Sequence, residues 1–170
     1  HVKGRLSQLD PAHWPTKRTA DWLRPHADFL RELLHEPRAI GAVCPSSCKL
    51  AARMAHWVNP AQTGWVVELG GGTGTVTRAL LAHGVPRVRL IVIEQSQRFA
   101  DHLRAKFPGT RIVHANAADI ASLIGSQDRV AAIVSGLPLR SLPIDAVSRI
   151  VLACAQVLNA DSRVVQFTYA

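Results

Sequence analysis

The sequence predicts an α/β domain built on a mainly parallel, doubly wound sheet. Short apolar segments rich in β-branched residues alternate with helical patterns from residue 65 onward, an alternation typical of parallel strands joined by crossover helices. The segment 65–81, WVVELGGGTGTVTRALL, is interpreted as a buried strand, a glycine turn and the start of a helix. At 170 residues and 48% hydrophobic composition, the chain is long and apolar enough to form a single domain with one core.

The elements follow one another in a regular order. The predicted strands cover residues 65–67, 88–93, 111–114, 130–134 and 163–168. The predicted helices cover residues 19–36, about 46–57, a segment after the glycine turn that ends at Gly84, 97–106 and 144–158. Capping serines, Gly and Pro separate these elements, as expected at helix and strand ends.

The charge balance limits the classes of partner. The net charge is +8 and the pI is about 10.4, which favours a polyanionic partner, either a nucleic acid or an anionic membrane surface. No apolar stretch approaches the ~20 residues of a membrane span, and the start lacks the apolar core of a signal peptide. Three cysteines, Cys44, Cys48 and Cys154, form neither a disulfide framework nor a zinc motif. We therefore expect a cytoplasmic protein with reduced thiols and no metal site.

Residues 1–36 are interpreted as a basic tail and an amphipathic helix, and residues 37–170 as the cofactor-binding domain. Within residues 19–36, two apolar rows lie side by side, one of them through Trp22, Phe29 and Leu33. This stripe can pack on the core or cover the cofactor. Alternatively it can meet a membrane surface, with Trp14 and Trp22 as interfacial anchors.

The glycine turn is the first candidate ligand site. Its spacing, Glu68-x-Gly70-x-Gly72-x-Gly74, differs from the dinucleotide fingerprint G-x-G-x-x-G. Glu68 ends the first strand, where open α/β sheets bind ligands. The acid before the first glycine is similar to the first motif of class I S-adenosylmethionine-dependent methyltransferases, although a plain tight turn gives the same letters.

The ends of the next three strands add polar groups. Glu94 closes the second strand, where an acid can accept hydrogen bonds from both ribose hydroxyls of an adenosine cofactor. Asn116 and Ala117 follow the third strand and can recognise an adenine ring, and residues 135–138 follow the fourth strand, where the transferred methyl group is expected. The alternatives are a solvent-facing acid, an Asx turn and a tight loop, respectively.

Four stretches carry a more specific resemblance: ELGGGTGTVTRALL, IEQSQRFADHLRAKFPGTRIVHANAADI, AAIVSGLPLRSLP and VVQFTY. Together with FLRELLHEPRAIGAVCPSS, they resemble the bacterial phospholipid N-methyltransferases over about residues 20–169. The resemblance implies a Rossmann-like class I fold and S-adenosylmethionine as cofactor, with S-adenosylhomocysteine as product. It further implies a monomer that works at the inner face of the membrane, with an anionic surface and phosphatidylethanolamine as partners.

The resemblance also assigns residues. Those implied to bind the cofactor are Glu68, Gly70, Gly71, Gly72, Thr73, Gly74, Glu94, Gln95, Asn116, Ala117 and Ser135. Those implied to line the methyl-transfer site are Ser135, Gly136, Leu137 and Pro138. One departure is that the usual Gly-Asp-Ala after the third strand is Ala115-Asn116-Ala117 here, so the adenine contact would lack charge assistance.

A second departure concerns the substrate. The family is similar to the rRNA adenine dimethyltransferases, which carry Asn-Leu-Pro-Tyr after the fourth strand. Here the stretch is Ser135-Gly136-Leu137-Pro138-Leu139, without the amide that would hold an adenine amino group and without the aromatic that would stack on its ring. This favours a lipid amine as acceptor. A nucleic-acid methyltransferase and a non-catalytic binder of an adenosyl ligand are the alternatives.

The resemblance implies one further feature of the fold. Class I methyltransferase sheets usually have seven strands, the last one antiparallel. Counted by position, with a short fifth strand before it, strand 163–168 would be the sixth. We therefore expect the terminal strand hairpin to be absent from this sequence.

Overall fold

The structure is a computed structural model that describes residues 45–125 and 128–167. The predicted basic tail and amphipathic helix, residues 1–36, lie outside the described residues. The helices are α1 (Pro45–His56), α2 (Thr75–Ala82), α3 (Gln97–Lys106), α4 (Ile120–Leu123) and α5 (Ile144–Val157). The strands are β1 (Trp65–Leu69), β2 (Leu90–Glu94), β3 (Arg111–His114), β4 (Val130–Ser135) and β5 (Arg163–Gln166). Short 3-10 turns cover Arg87–Arg89, Ala117–Asp119 and Leu139–Ser141.

All five strands of the described chain pair in parallel, in the order β3-β2-β1-β4-β5. β1 is central, with Glu68 opposite Val92 of β2 and Val134 of β4. The order reverses at β1, because the chain moves outward to β3 on one side and then returns to β4 on the other. Ligands of open α/β sheets bind at such a reversal, beyond the carboxyl ends of the strands. The predicted doubly wound α/β fold is confirmed.

The sheet separates two apolar clusters, because successive strand residues point to opposite faces. Val66 and Val92 join one cluster with Leu103 of α3. Val67 and Ile91 join the other with residues of α4 and α5. Both faces are therefore covered, which explains why β1, β2 and β4 are almost continuously apolar instead of alternating.

Several predicted boundaries are wrong by a few residues. Val88 and Arg89 lie in a 3-10 turn before β2, and Val88 is 76% exposed, so β-branching alone did not mark the strand. α1 begins at Pro45, ahead of the predicted serine cap, as the fixed φ of proline permits in a first turn. β4 continues to Ser135, and β5 ends at Gln166. β5 pairs directly with β4, so counting it as the sixth strand was wrong.

No helix among residues 45–125 and 128–167 is long and apolar enough to cross a membrane. Within the same residues, no group of three or more His, Cys, Asp or Glu side chains could hold a metal ion.

Candidate cofactor site

The loops after β1, β2, β3 and β4 meet at one edge of the sheet. The Gly70 N–H donates to Ile93 O at 2.9 Å, and the Gly136 N–H donates to Leu69 O at 3.1 Å. On the far side of β2, the Ala115 N–H donates to Glu94 O at 3.1 Å. The structure therefore brings together the strand ends to which the predicted site residues belong.

The glycine turn needs glycine at alternate positions. Gly70, Gly72 and Gly74 have φ values of 78°, 49° and 83°, in the left-handed region that other residues enter at a cost. Gly74 also caps α2 in this conformation. The spacing of the glycines is thus a backbone requirement as well as a possible ligand contact.

Crowding distinguishes the glycines from one another. A Cβ on Gly71 would lie 2.5 Å from Val92 Cγ1 and 2.7 Å from Leu103 Cδ1, so this glycine lets the turn pack against the core. A Cβ on Gly72 would meet no atom of the described part of the chain within 4 Å. Gly72 therefore faces open space, where a ligand can approach the backbone closely.

We expect Gly71→Ala and Gly72→Ala to separate folding from binding. The Gly71 variant overpacks two buried side chains, which should lower the free energy of unfolding by about 1–3 kcal/mol. The Gly72 variant should lose only about 1 kcal/mol, from its left-handed backbone, but should bind S-adenosylmethionine about tenfold more weakly because its methyl group occupies the open side. Urea denaturation and calorimetry measure the two effects. Unchanged cofactor affinity of Gly72→Ala would show that the ligand does not approach this glycine.

Glu94 joins the glycine turn to the turn after β2. Its Oε2 accepts from the Gly72 N–H at 2.9 Å and its Oε1 accepts from the Ser96 N–H at 2.8 Å. Its side chain is largely buried, since the residue is 8% exposed. Each carboxylate oxygen has further lone pairs, so Glu94 can still accept a hydrogen bond from a hydroxyl group of a ligand. Gln95 is exposed next to it, and its carbonyl contacts His114 Nε2 at 3.0 Å.

Glu68 lies deeper, with 1% of its surface exposed. Its Oε2 accepts from Thr77 Oγ1 of α2 at 2.7 Å, and its Oε1 is buried without a hydrogen-bond partner in the described chain. Burial raises the pKa of Glu68 to about 8, against the opposing hydrogen bonds from Thr77 and with a smaller contribution from Glu94. The carboxyl group is therefore mostly uncharged at neutral pH.

A lysine links the glycine turn to α3. Lys106 Nζ, at the end of α3, donates to Thr73 O at 2.7 Å. Burial, with a contribution from Arg78, lowers the pKa of Lys106. Thr73 Oγ1 and Thr75 Oγ1 lie 3.2 Å apart, so the turn is tied to α3 and to the start of α2.

Asn116 is used locally by the fold. Its Oδ1 accepts from the Ala118 N–H at 2.9 Å, while its own N–H donates to Asp119 Oδ2 at 3.2 Å. This reciprocal cap is the Asx turn that the sequence allowed as an alternative to a ligand contact. It leaves one lone pair of Oδ1 for a ligand. Ala117 is buried behind it. A cavity of about 520 Å³ opens between this turn and α5, with Asp119 and Arg149 in its wall; it includes Asn116 but neither glutamate.

The loop after β4 packs directly on the glycine turn. Its Leu137 side chain lies against Gly70, since a Cβ added to Gly70 would lie 2.7 Å from Leu137 Cδ2. Ser135 is buried, and its Oγ accepts from the Leu137 N–H at 3.3 Å. Gly136 and Pro138 are exposed. Gln166, at the end of β5, donates from Nε2 to Leu137 O at 3.0 Å.

Sequence reasoning missed four residues of this region: Thr77, Ser96, Lys106 and Gln166. Thr77 carried a weak signal, as a hydroxyl in the first turn after the glycines, and Gln166 carried another, as a polar residue ending an apolar strand. Lys106 and Ser96 carried none, because their contacts join separate elements or use only the backbone.

Among the described residues, a buried carboxyl oxygen without a partner, an open glycine and a second carboxylate at the edge of the sheet suit a polar, positively charged ligand. With the strand order, these features define an adenosyl-cofactor domain of the class I methyltransferase type. The chain belongs to the methyltransferase domain family, whose profile matches residues 66–161. S-adenosylmethionine is the cofactor of this class.

Similar proteins agree with this assignment. The chain is 31% identical over 123 residues to an ornithine lipid N-methyltransferase of Singulisphaera acidiphila, covering 68% of this chain and 62% of that protein. It is 36% identical over 125 residues to a ribosomal RNA small subunit methyltransferase A of Bradyrhizobium sp., covering 69% of this chain and 42% of that protein.

The fold has a counterpart among solved structures. The chain resembles a didemethyltoxoflavin N1-methyltransferase of Burkholderia thailandensis, solved with S-adenosylhomocysteine, with a TM-score of 0.59 and 15% identity over 90% of this chain and 65% of that one. At this identity the likeness concerns the fold alone. The chain spans about two thirds or less of the length of these relatives.

Proposed function

We propose that the protein is an S-adenosylmethionine-dependent N-methyltransferase that methylates the amine of a phospholipid headgroup, with phosphatidylethanolamine as the expected acceptor. The observation that carries the proposal is the loop after β4. This loop has neither an amide nor an aromatic at residues 135–139, and a small primary amine needs neither group.

The cofactor would occupy the edge described above. Its ribose would lie against Glu94, its methionine portion against the glycine turn above Glu68, and its adenine beside Asn116, with Gln95, Ala117 and Ser135 at the margins. S-adenosylmethionine supplies a methyl group made electrophilic by the sulfonium charge. The chain's own contribution would be to align a neutral amine with that methyl and to exclude water.

The acceptor amine must lose its proton first, because free alkyl amines are protonated at neutral pH, roughly as Lys is with a pKa of ~10.4. Burial near a positive charge lowers such a pKa, so desolvation in the site would favour the reactive form.

The ornithine lipid N-methyltransferase supports the choice of a lipid amine, since its name specifies N-methylation of a lipid. The net charge of +8 would also favour an anionic membrane surface.

The alternative acceptor is an adenine of ribosomal RNA. It is favoured by the matches to small subunit rRNA methyltransferases, which reach 37% identity over 125 residues. Against it stands the loop, where a flipped base would lose stacking worth ~1–3 kcal/mol. Phe167 lies near the loop, since its N–H donates to Ser135 O at 3.1 Å, but its side chain packs against the core cluster of Val66 and Val134.

The decisive experiment supplies S-adenosylmethionine with a labelled methyl group to the full-length protein. Phosphatidylethanolamine vesicles and small-subunit rRNA are offered in parallel at the same salt concentration, since salt controls RNA affinity. We expect label in the lipid and none in the RNA. Label in RNA alone would replace the proposed acceptor with adenine, and label in neither would favour a non-catalytic binder.

We also propose that residues 19–36 hold the protein at the membrane surface. We expect binding to vesicles that contain phosphatidylglycerol and weak binding to neutral vesicles, because each Lys or Arg near an anionic surface contributes about 1 kcal/mol. Trp22→Ala/Phe29→Ala should reduce co-sedimentation. Equal sedimentation of this double variant would assign the apolar stripe to the protein interior.

A further inference from the structure

We propose that Glu68 is an uncharged acid in the cofactor-free protein and ionises when S-adenosylmethionine binds, so that this residue favours the sulfonium cofactor over its thioether product. The inference rests on the proposed cofactor site. It assigns Glu68 a role in specificity, beyond contact with the glycine turn.

The carboxyl group of Glu68 lies in a buried environment. Glu68 ends the central strand, directly before the glycine turn, and is 1% exposed. One oxygen is bonded to Thr77 Oγ1, and the other is buried without a hydrogen-bond partner among the described residues. A carboxylate in that position would leave a charged oxygen uncompensated, which is costly in a buried site.

The charges that act on Glu68 in the described chain do not favour its ionised form. From β2, the carboxylate of Glu94 faces the same turn and acts unfavourably on a charge at Glu68. From α2 the direct contact is the neutral Thr77. From α3, Lys106 is bonded to Thr73 O, and Arg78 of α2 acts on Lys106; neither cation contributes to the pKa shift of Glu68. No ion pair to Glu68 occurs in residues 45–125 and 128–167. Within these residues, the acid thus has no compensating cation.

The cofactor changes this balance. S-adenosylmethionine carries a permanent sulfonium charge in addition to its amino acid group, whereas S-adenosylhomocysteine has the same amino acid group and a neutral sulfur. A cation placed near a buried carboxyl favours the ionised form. The protonated Glu68 and the cationic cofactor would become a carboxylate and the bound cation, and one proton would be released to solvent.

The pH dependence follows from the sign of this linkage. Below the pKa of the cofactor-bound state, Glu68 is protonated in both states, and pH has no effect through this group. Between that value and the pKa of about 8 in the cofactor-free protein, binding releases a proton, so affinity for S-adenosylmethionine rises with pH. The product shows a smaller rise, because it lacks the sulfonium charge.

Calorimetry of the full chain tests the inference directly. Binding of S-adenosylmethionine and of S-adenosylhomocysteine is measured from about pH 6 to 9, in phosphate and in Tris, whose different ionisation enthalpies report the protons released. We expect up to one more proton released with S-adenosylmethionine than with S-adenosylhomocysteine. The ratio of the two affinities should rise with pH by about tenfold for each unit by which the sulfonium lowers the pKa of Glu68.

Three variants sharpen the test. Glu68→Gln keeps the size of the side chain and cannot ionise, so the extra proton and the pH dependence of the ratio should both disappear. Asp145→Asn makes the same replacement of an acid by its amide at an exposed position of α5 and should behave as wild type. Thr77→Val removes a hydrogen bond that lowers the pKa of Glu68, so the extra proton release should extend to higher pH.

The outcomes separate this inference from the site on which it rests. Absence of cofactor binding by the wild type would overturn the proposed site itself. Binding with equal proton release for both ligands, or with the extra proton retained in Glu68→Gln, would leave the site standing and overturn the role of Glu68. If Glu68→Gln does not fold, the shift in Thr77→Val decides.

Discussion

Replacing Glu68 by Gln should stabilise the cofactor-free protein, and the gain should grow as pH rises. The folded pKa of Glu68 is about 8, above the usual pKa of 4.5 for an exposed glutamate. Between these values the folded state holds a proton that the unfolded state has lost, so wild-type stability falls with pH, by about 1.4 kcal/mol per unit for one full proton. Gln has no such penalty.

We therefore compare the free energy of unfolding of Glu68→Gln with that of wild type at each pH. The difference in favour of the variant should be larger by a few kcal/mol above about pH 8 than near pH 4.5. Urea denaturation across this range measures the free energy of unfolding of both proteins. The useful quantity is the change of their difference with pH, because it cancels the other titrating groups and any packing effect of the amide. Parallel curves for the two proteins would show that Glu68 titrates normally in the folded state.

The second large effect is expected at Glu94. Glu94→Ala should weaken S-adenosylmethionine binding by ~1.5–3 kcal/mol, the range for a lost hydrogen bond to a charged group. The substitution removes the acceptor proposed for the ribose hydroxyls. It also frees the Gly72 and Ser96 N–H groups, which Glu94 holds at 2.9 and 2.8 Å.

Two companions separate these contributions. Glu94→Gln keeps one carbonyl oxygen for a backbone N–H and loses the charge, so its affinity should fall between wild type and Glu94→Ala. Asp101→Ala removes an exposed carboxylate of α3 and should bind the cofactor normally. Affinity of Glu94→Ala equal to wild type would show that the ribose assignment is wrong.

The sequence predicted the elements of the site better than their connections. Glu68 and Glu94 could be placed at strand ends, because an apolar run ending in an acid before a turn is a local pattern. Val88 was misplaced, because its β-branched side chain resembles a strand residue although it is exposed in a turn.

The connections depend on tertiary contacts that no local pattern specifies. Lys106 reaches Thr73 O across 33 positions of sequence, and Gln166 reaches Leu137 O across 29. The uncharged state of Glu68 was likewise beyond sequence reasoning, because it results from tertiary burial, which outweighs the hydrogen bonds from Thr77 that lower the pKa of Glu68.

The central position of β1 has a consequence for the order of folding. Its pairing with β2 closes one strand–helix–strand unit. Its pairing with β4 closes a longer loop, because β2, β3 and the intervening helices lie between β1 and β4 in the chain. Closing the longer loop costs more chain entropy, so we expect the contact between β1 and β4 to form later and to limit the rate. Pulse-labelled hydrogen exchange should show protection of β2 amides before β4 amides. The strand ends that carry Glu68 and Glu94 would then be brought together early, and the loop after β4 would pack later against a glycine turn that has already formed.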